Sequence, residues 1–389
     1  RKIECLNYNY IYTKMKKIIL IILSVITSNL IYSQCNGRYQ TEIFNSVSKV
    51  SVNYSDIYND GFHEMDIYTA DGDTEINRPV IIYMHGGSFT GGDKSTSDCI
   101  DFCESFAKRG YVTISMNYRL ANNVISFLTS NETQFETVLK AVYDAKSVVR
   151  FLRKDFENGN NYSIDTSTIF VGGYSAGAVV AIHQTYIDAV DDLPSLFTDN
   201  NGNTFNVQNL ATTIGSGNEL EGDAGNYGFS SRVSGVISYA GGINDINWID
   251  EDDEPIVSIH GTSDLTVNYN CGPGQNNSLV LTLCGVGEMQ PQANLVGINN
   301  DALIFNNEGH LWPVSGNSNP KFIQANNFTS DFLFPLLPCN TITSTDNIKE
   351  DKKIIAIKNV LGESTIPKIN TPLYYIFSDG TVEHRMIIE

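Results

Sequence analysis

Thr168-Ile-Phe-Val171 runs straight into Gly172-Gly173-Tyr174-Ser175-Ala176-Gly177, and this junction decides how the chain folds. The first four residues read as a strand. Ala176–Ile187 has the composition and spacing of a helix. Between them a serine stands with glycine two residues away on either side. Small neighbours let a chain turn sharply from strand to helix and hold the serine in a strained backbone with its Oγ exposed. A serine hydroxyl is a weak nucleophile until a neutral imidazole accepts its proton, so a histidine has to arrive from elsewhere in the fold.

Working outward, the same rhythm of strand, loop and helix extends in both directions. Upstream, Val80–Met84 is an apolar run without alternation, the pattern of a strand covered on both faces, and Val112–Met116 is the next strand. Ser97–Lys108 has helical spacing and stops at Gly110, and Thr133–Phe156 is the longest amphipathic stretch. Val50–Tyr58 and His63–Thr69 read as a hairpin joined through Asn59-Asp60-Gly61. Downstream, strand-like runs recur at Val233–Tyr239, Pro255–Ile259 and Asp301–Phe305. Strands alternating with helices predict a doubly wound, mostly parallel α/β sheet. Residues 188–230 interrupt it: they are rich in Asn, Asp and Gly and too long for an ordinary connection, so they are either a surface loop or a lid.

Open sheets of this kind place their sites at the carboxyl ends of the strands. Met84 is followed by His85-Gly86-Gly87-Ser88-Phe89, a second glycine-rich turn. Attack on an ester drives charge onto the carbonyl oxygen, and N–H groups fixed around that position lower the barrier by about 3–4 kcal/mol per donor. Gly87, Ser88 and Ala176 are the expected donors. Ile256–His260 leads through Gly261-Thr-Ser to Asp264, and Ala302–Phe305 leads through Asn306-Asn-Glu-Gly to His310. The resulting order Ser175, Asp264, His310 is the one this sheet type uses. Of the six histidines, His63 lies in an early strand, His183 in a helix and His384 in the tail, while His85 and His260 occupy turns suited to structural hydrogen bonds. His310 remains as the base. Asp252, Asp253 and Glu254 precede their strand and fall at the wrong end of the sheet. Phe89, Phe197, Tyr227, Trp248, Leu265 and Trp312 lie near the motif loops or the insertion, where each is pocket wall, core or rim.

The chain carries 25 basic against 44 acidic residues, net −19, a balance that repels nucleic acid and anionic lipid. Met15, Lys16 and Lys17 open an apolar run over Ile18–Thr27, and Ser28–Ser33 leads to a cut before Gln34, the three parts of a secretory signal, although Ile31 is larger than such a cleavage site prefers. Residues 15–33 are therefore expected to direct export, with 1–14 an upstream leader or artefact. The run is shorter than the roughly 20 residues of a membrane span. Without Cys5, six cysteines remain, an even number that favours disulfides in an exported chain although 15 pairings are open. Cys271 with Cys284 is the first choice, bracketing a Gly/Pro/Asn-rich loop; Cys99 and Cys103 share one face of a helix.

The His85-Gly-Gly-Ser-Phe and Gly173-Tyr-Ser-Ala-Gly motifs, with Gly110–Leu120 and the Asp144–Arg150 helix, resemble those of α/β-hydrolase carboxylesterases and lipases of the His-Gly-Gly type. The resemblance covers about residues 50–335. It implies an eight-stranded sheet, a Ser175–His310–Asp264 triad and oxyanion donors in the His-Gly-Gly loop, with no cofactor and no metal. Ser88 departs from the third glycine of many relatives. Residues 34–340 are then a catalytic domain, and 341–389 a linker and tail that resembles a type IX secretion sorting domain. The implied activity is a secreted serine hydrolase acting on small-molecule or polymeric esters (short-acyl, feruloyl-type, lipid or polyester). A serine peptidase of the same fold and a silent binding module are the alternatives.

Overall fold

The computed structural model describes Cys35, residues 37–199 and 202–339, and three strands beyond them, Ile354–Lys358, Pro372–Phe377 and Val382–Met386. Residues 15–33, where the export signal is expected, lie outside this description. The chain divides into two compact units, residues 1–340 and 341–389. The strands of the second unit form a three-stranded antiparallel sheet in chain order.

In the first unit, β1 (Val47–Asn53), β2 (Glu64–Ala70), β3 (Arg78–Met84), β4 (Val112–Met116), β5 (Ile164–Tyr174), β6 (Gly235–Tyr239), β7 (Ile256–Gly261) and β8 (Asn300–Phe305) make one sheet in the order β1-β2-β4-β3-β5-β6-β7-β8. The pairs β1–β2 and β2–β4 are antiparallel and the rest are parallel. This is the doubly wound, mostly parallel α/β-hydrolase sheet. The first strand starts three residues and ends five residues earlier than its sequence pattern predicts. Tyr54 and Tyr58 supply the apparent strand character, but Tyr54 is a buried anchor whose hydroxyl donates to the carbonyls of Phe62 and Asn117, and Tyr58 stacks on His63.

The helices are α1 (Ser97–Lys108), α2 (Val124–Thr129), α3 (Asn131–Glu157), α4 (Ala176–Tyr186), α5 (Val207–Ile214), α6 (Val286–Val296) and α7 (Pro320–Leu333). On β3, Val80, Ile82 and Met84 join the core under α3 and α4, while Ile81 and Tyr83 join the core under α1 and α7. Period-two geometry thus sends successive apolar residues to opposite covered faces, which is why the strand shows no polar alternation. Every residue of α4 is buried, so it needs no polar stripe. Among the described residues, no helix is long and apolar enough to cross a membrane.

The register brings the strand ends level. Met84 pairs with Gly173, Tyr174 with Tyr239, and Gly261 with Phe305. The loops leaving β3, β5, β7 and β8 therefore open on one rim. The 188–230 insertion carries α5 and packs on α3, where the Tyr143 hydroxyl donates to the carbonyl of Ala211. Arg119 holds it from below, pairing with Asp144 of α3 and with Asp223. Disulfides join Cys271 to Cys284 and Cys35 to Cys339, while Cys99 and Cys103 are unpaired and buried on α1.

Candidate active site

Ser175 follows β5 directly and caps α4 with φ 55° and ψ −120°, a left-handed backbone that a non-glycine residue adopts only at a cost. The elbow is possible because its neighbours are small: a Cβ on Gly177 would lie 2.1 Å from the Met84 carbonyl oxygen. Helix α4 can thus start against the end of β3, and Ser175 N–H donates to the Tyr239 carbonyl at 2.9 Å.

His310, five residues beyond β8, places Nε2 2.7 Å from Ser175 Oγ and Nδ1 2.6 Å from Asp264 Oδ2. All three side chains are buried. Asp264 Oδ1 accepts the N–H groups of Thr266 and Val267 at 2.8 and 3.0 Å, which fixes the carboxylate's orientation. Burial alone would raise its pKa; hydrogen bonds and charge from His260 and His310 instead hold it well below the usual carboxylate range. The loop bearing Asp264 is laced to the loop bearing His310, with Ser263 N–H donating to the Glu308 carbonyl and Asn307 N–H to Thr262 Oγ1.

The Gly86–Phe89 turn faces the same serine. Gly87 has φ 129°, and a Cβ there would meet the Gly91 carbonyl oxygen at 2.0 Å, so only glycine fits. Ser88 itself has φ 54°, the region glycine favours, which is the physical meaning of the residue change in the sequence motif. Among the described residues, no backbone acceptor takes the N–H of Gly87 or Ser88. Ala176 opens α4, whose first N–H groups have no intrahelical partner. His85 plays the structural part its turn implied: Nδ1 lies 2.7 Å from the Gly86 carbonyl, its ring stacks on Tyr118, and burial lowers its pKa.

Tyr174 escaped sequence reasoning, and His260, whose sequence context suggests a structural hydrogen-bonding residue in a turn, lies at the end of β7 and also reaches the triad carboxylate. His260 Nε2 lies between the Val267 carbonyl at 2.9 Å and Asp264 Oδ2 at 3.3 Å, a second imidazole on the same carboxylate. Its spacing of four from Asp264 was the available signal. Tyr174 donates its hydroxyl to the His310 carbonyl at 3.1 Å, steadying the histidine loop. Of the six apolar residues considered as pocket walls, Phe89 lines a cavity at Ser175. Trp312 instead packs in the core against Tyr239 and Phe305, Phe197 packs on Phe135, Trp248 on His183, and Tyr227 under Arg150; Leu265 is exposed.

Two cavities meet at Ser175. One is largely apolar and bounded by Phe89, Phe127, Val138, Val179 and Leu281. The other is more polar and bounded by Thr96, Ser97, Asp98, Tyr174, His310 and Leu311. Neither takes a lining residue from 188–230.

The BD-FAE family model matches residues 65–279, more than half of the chain. Juvenile hormone esterase of Heliothis virescens is 31% identical over 116 residues, which is 30% of this chain and 19% of that protein. Gut esterase 1 of Caenorhabditis briggsae is 28% identical over 117 residues, 30% and 20% of the respective chains. The chain thus spans about a fifth of the length of these curated relatives. A truncated carbohydrate esterase from gut microbiota superposes with TM-score 0.51 at 18% identity, covering 76% of this chain and 97% of that one. A propionate-bound thermophilic esterase from Thermogutta terrifontis gives TM-score 0.52 at 17% identity, with 74% and 94% covered. At such identities the likeness is one of fold. The family match begins in β2, takes in the glycine-rich turn and the serine elbow, and ends within the Cys271–Cys284 loop, so the chain belongs to the BD-FAE family, on an α/β-hydrolase fold.

Proposed function

We propose that the chain is a secreted hydrolase of carboxylic esters that works through an acyl-enzyme on Ser175. The observation that carries this reading is the hydrogen-bonded line Ser175 Oγ–His310 Nε2 and His310 Nδ1–Asp264 Oδ2, at 2.7 and 2.6 Å, beside a cavity. The curated relatives named as esterases support it. His310 takes the Ser175 proton as Oγ bonds to the carbonyl carbon. Asp264 orients the imidazole and balances its charge. The N–H groups of Gly87, Ser88 and Ala176 receive the oxyanion. As the carbon–oxygen bond to the alcohol breaks, His310 returns the proton to the leaving oxygen. Water, deprotonated by His310, then attacks the acyl carbon and releases the acid.

Short-acyl esters are the first substrates to try, followed by feruloyl, lipid and polyester substrates. Two disulfides support an oxidising compartment and so export through residues 15–33. Sorting through a type IX machinery would use the 341–389 unit. The native chain is expected to hydrolyse p-nitrophenyl acetate and to be labelled by a fluorophosphonate. Ser175→Ala is expected to lose both, with hydrolysis down by about 10⁶-fold. A Ser175→Ala protein that works at the native rate removes the reading.

A further inference from the structure

We propose that the disulfide-closed hairpin from Cys271 to Cys284 is the wall that selects the acyl group of the substrate. The inference rests on the ester-hydrolase reading above and assigns the two cavities at Ser175 within it.

The assignment follows from where the proton must go. His310 has to deliver a proton to the leaving alcohol, so the alcohol must lie on the His310 side of Ser175. The polar cavity includes His310 and Leu311 in its lining, and the apolar cavity includes neither. Both share Ser88, Ser175, Thr266 and Gln275, as two halves of one ester straddling the reacting carbon require; Gln275 is the hairpin's one contact with the polar cavity. The alcohol therefore occupies the polar cavity, and the acyl chain is left the apolar one, where burial of methylene groups is favourable.

One side of that apolar cavity belongs to the rigid core: Val138 on α3 and Val179 on α4. Another part of its wall is built from a short antiparallel ribbon, Cys271–Pro273 paired with Thr282–Cys284, and the loop it closes. Val280, Leu281 and Leu283 of this hairpin face the cavity. The loop holds its place through three kinds of tie. The disulfide closes its base. Cys284 exchanges backbone hydrogen bonds with Ile243 at 2.8 and 3.0 Å. At its far end, buried Gln134 accepts Leu281 N–H at 2.9 Å and donates to the Leu279 carbonyl at 3.1 Å and to the Phe127 carbonyl at 2.6 Å. Asn131 donates to the same Leu279 carbonyl at 3.0 Å. One glutamine thus sets the distance between α2, α3 and the hairpin, which is the width of the cavity. The surface-loop character of 271–284 hides this role in the sequence, where 188–230 is the conspicuous lid candidate.

The test compares kcat/KM for p-nitrophenyl acetate and p-nitrophenyl hexanoate, which share an alcohol, and for p-nitrophenyl acetate and 1-naphthyl acetate, which share an acyl group. Leu281→Trp is expected to lower the hexanoate-to-acetate ratio at least tenfold, and Leu281→Ala to raise it, with the naphthyl-to-nitrophenyl ratio held within about twofold. Cys271→Ser/Cys284→Ser is expected to move the acyl ratio at least fivefold, since it loosens the wall and leaves the Leu281 side chain intact. If the alcohol ratio moves and the acyl ratio stays, the cavities are assigned the wrong way round. If both ratios stay while activity falls evenly, the hairpin is a brace and selects nothing. Either result overturns this inference alone, provided the native chain is active and labelled at Ser175 by a fluorophosphonate. A native chain that is neither active nor labelled overturns the parent reading and this inference with it.

Discussion

At the scale of single residues, the cost of the site shows in groups held away from their preferred state. Ser175 and Ser88 both sit at positive φ. Asp98, in the first turn of α1, is 3% exposed and lines the polar cavity, and its Oδ2 has no hydrogen-bond partner among the described residues. Burial, with a smaller push from Asp101, raises its pKa to about 6. An unfolded aspartate titrates near 3.9, so the folded chain holds an extra proton between about pH 4 and 6. The stabilisation from that proton is complete below about pH 4 and is lost as pH rises through 6, by up to about 3 kcal/mol. Asp98→Asn is neutral throughout. Its Tm advantage over the native chain is therefore expected to be small at pH 4, to grow towards pH 6 and to level off above it. A difference that stays constant from pH 4 to 8 would mean the carboxyl titrates like an exposed one.

At the scale of elements, the strands and helices that carry the site were legible because each has an unambiguous period. Strand β3 is apolar on both faces, β4 buries Thr113 and Ser115 on one of its faces, β5 is apolar through Ile169–Val171, and α1 and α3 repeat at helical spacing; their predicted positions fall within a few residues of those in the structure. What escaped was decided by single polar contacts that no periodicity records. Tyr54 made a linker resemble strand, and the polar 188–230 stretch gave no sign that Ala224 and Asn226 are buried. The Ala224 carbonyl accepts the hydroxyls of Ser55 and Ser147, Asn226 donates to the Tyr54 carbonyl, and Arg119 clamps the neighbouring Asp223. The Arg119 guanidinium donates to both Asp144 carboxylate oxygens and to both of Asp223, joining the loop after β4, helix α3 and the insertion. The paired carboxylates raise its pKa against the effect of burial. Asp144 is fully buried, and its other cationic neighbour is His63 Nε2 at 3.3 Å. Arg119→Ala leaves that carboxylate without its main counter-charge and is expected to cost about 3–5 kcal/mol in urea unfolding. A loss below about 1 kcal/mol would show that protonated His63 takes over.

At the scale of the whole catalytic unit, cross-linking separates stability from selectivity. The even cysteine count and the expected export predicted disulfides but left the pairing open, because proximity in the fold is invisible to cysteine spacing when the partners lie far apart. Cys35 and Cys339 are separated by 304 residues and Cys271 and Cys284 by 13. The short loop could be chosen from sequence and the long one could not. Cross-linking lowers the entropy of the unfolded chain more for longer loops, by about 6 kcal/mol for the first pair against about 3 for the second, as upper values. The Cys35–Cys339 bridge shares a cavity with Asn77, Pro79 and Asp165, at the amino ends of β3 and β5, so it lies across the sheet from the rim that holds Ser175. Cys35→Ser/Cys339→Ser is therefore expected to lower Tm and urea midpoint markedly while kcat/KM at 25 °C and the acyl ratio stay within about twofold of native. A change in acyl preference in this variant would mean that strain at the amino ends reaches the opposite rim. The two bridges would then act on one cooperative unit, and the division between a bridge that holds the fold and a bridge that shapes the pocket would be lost.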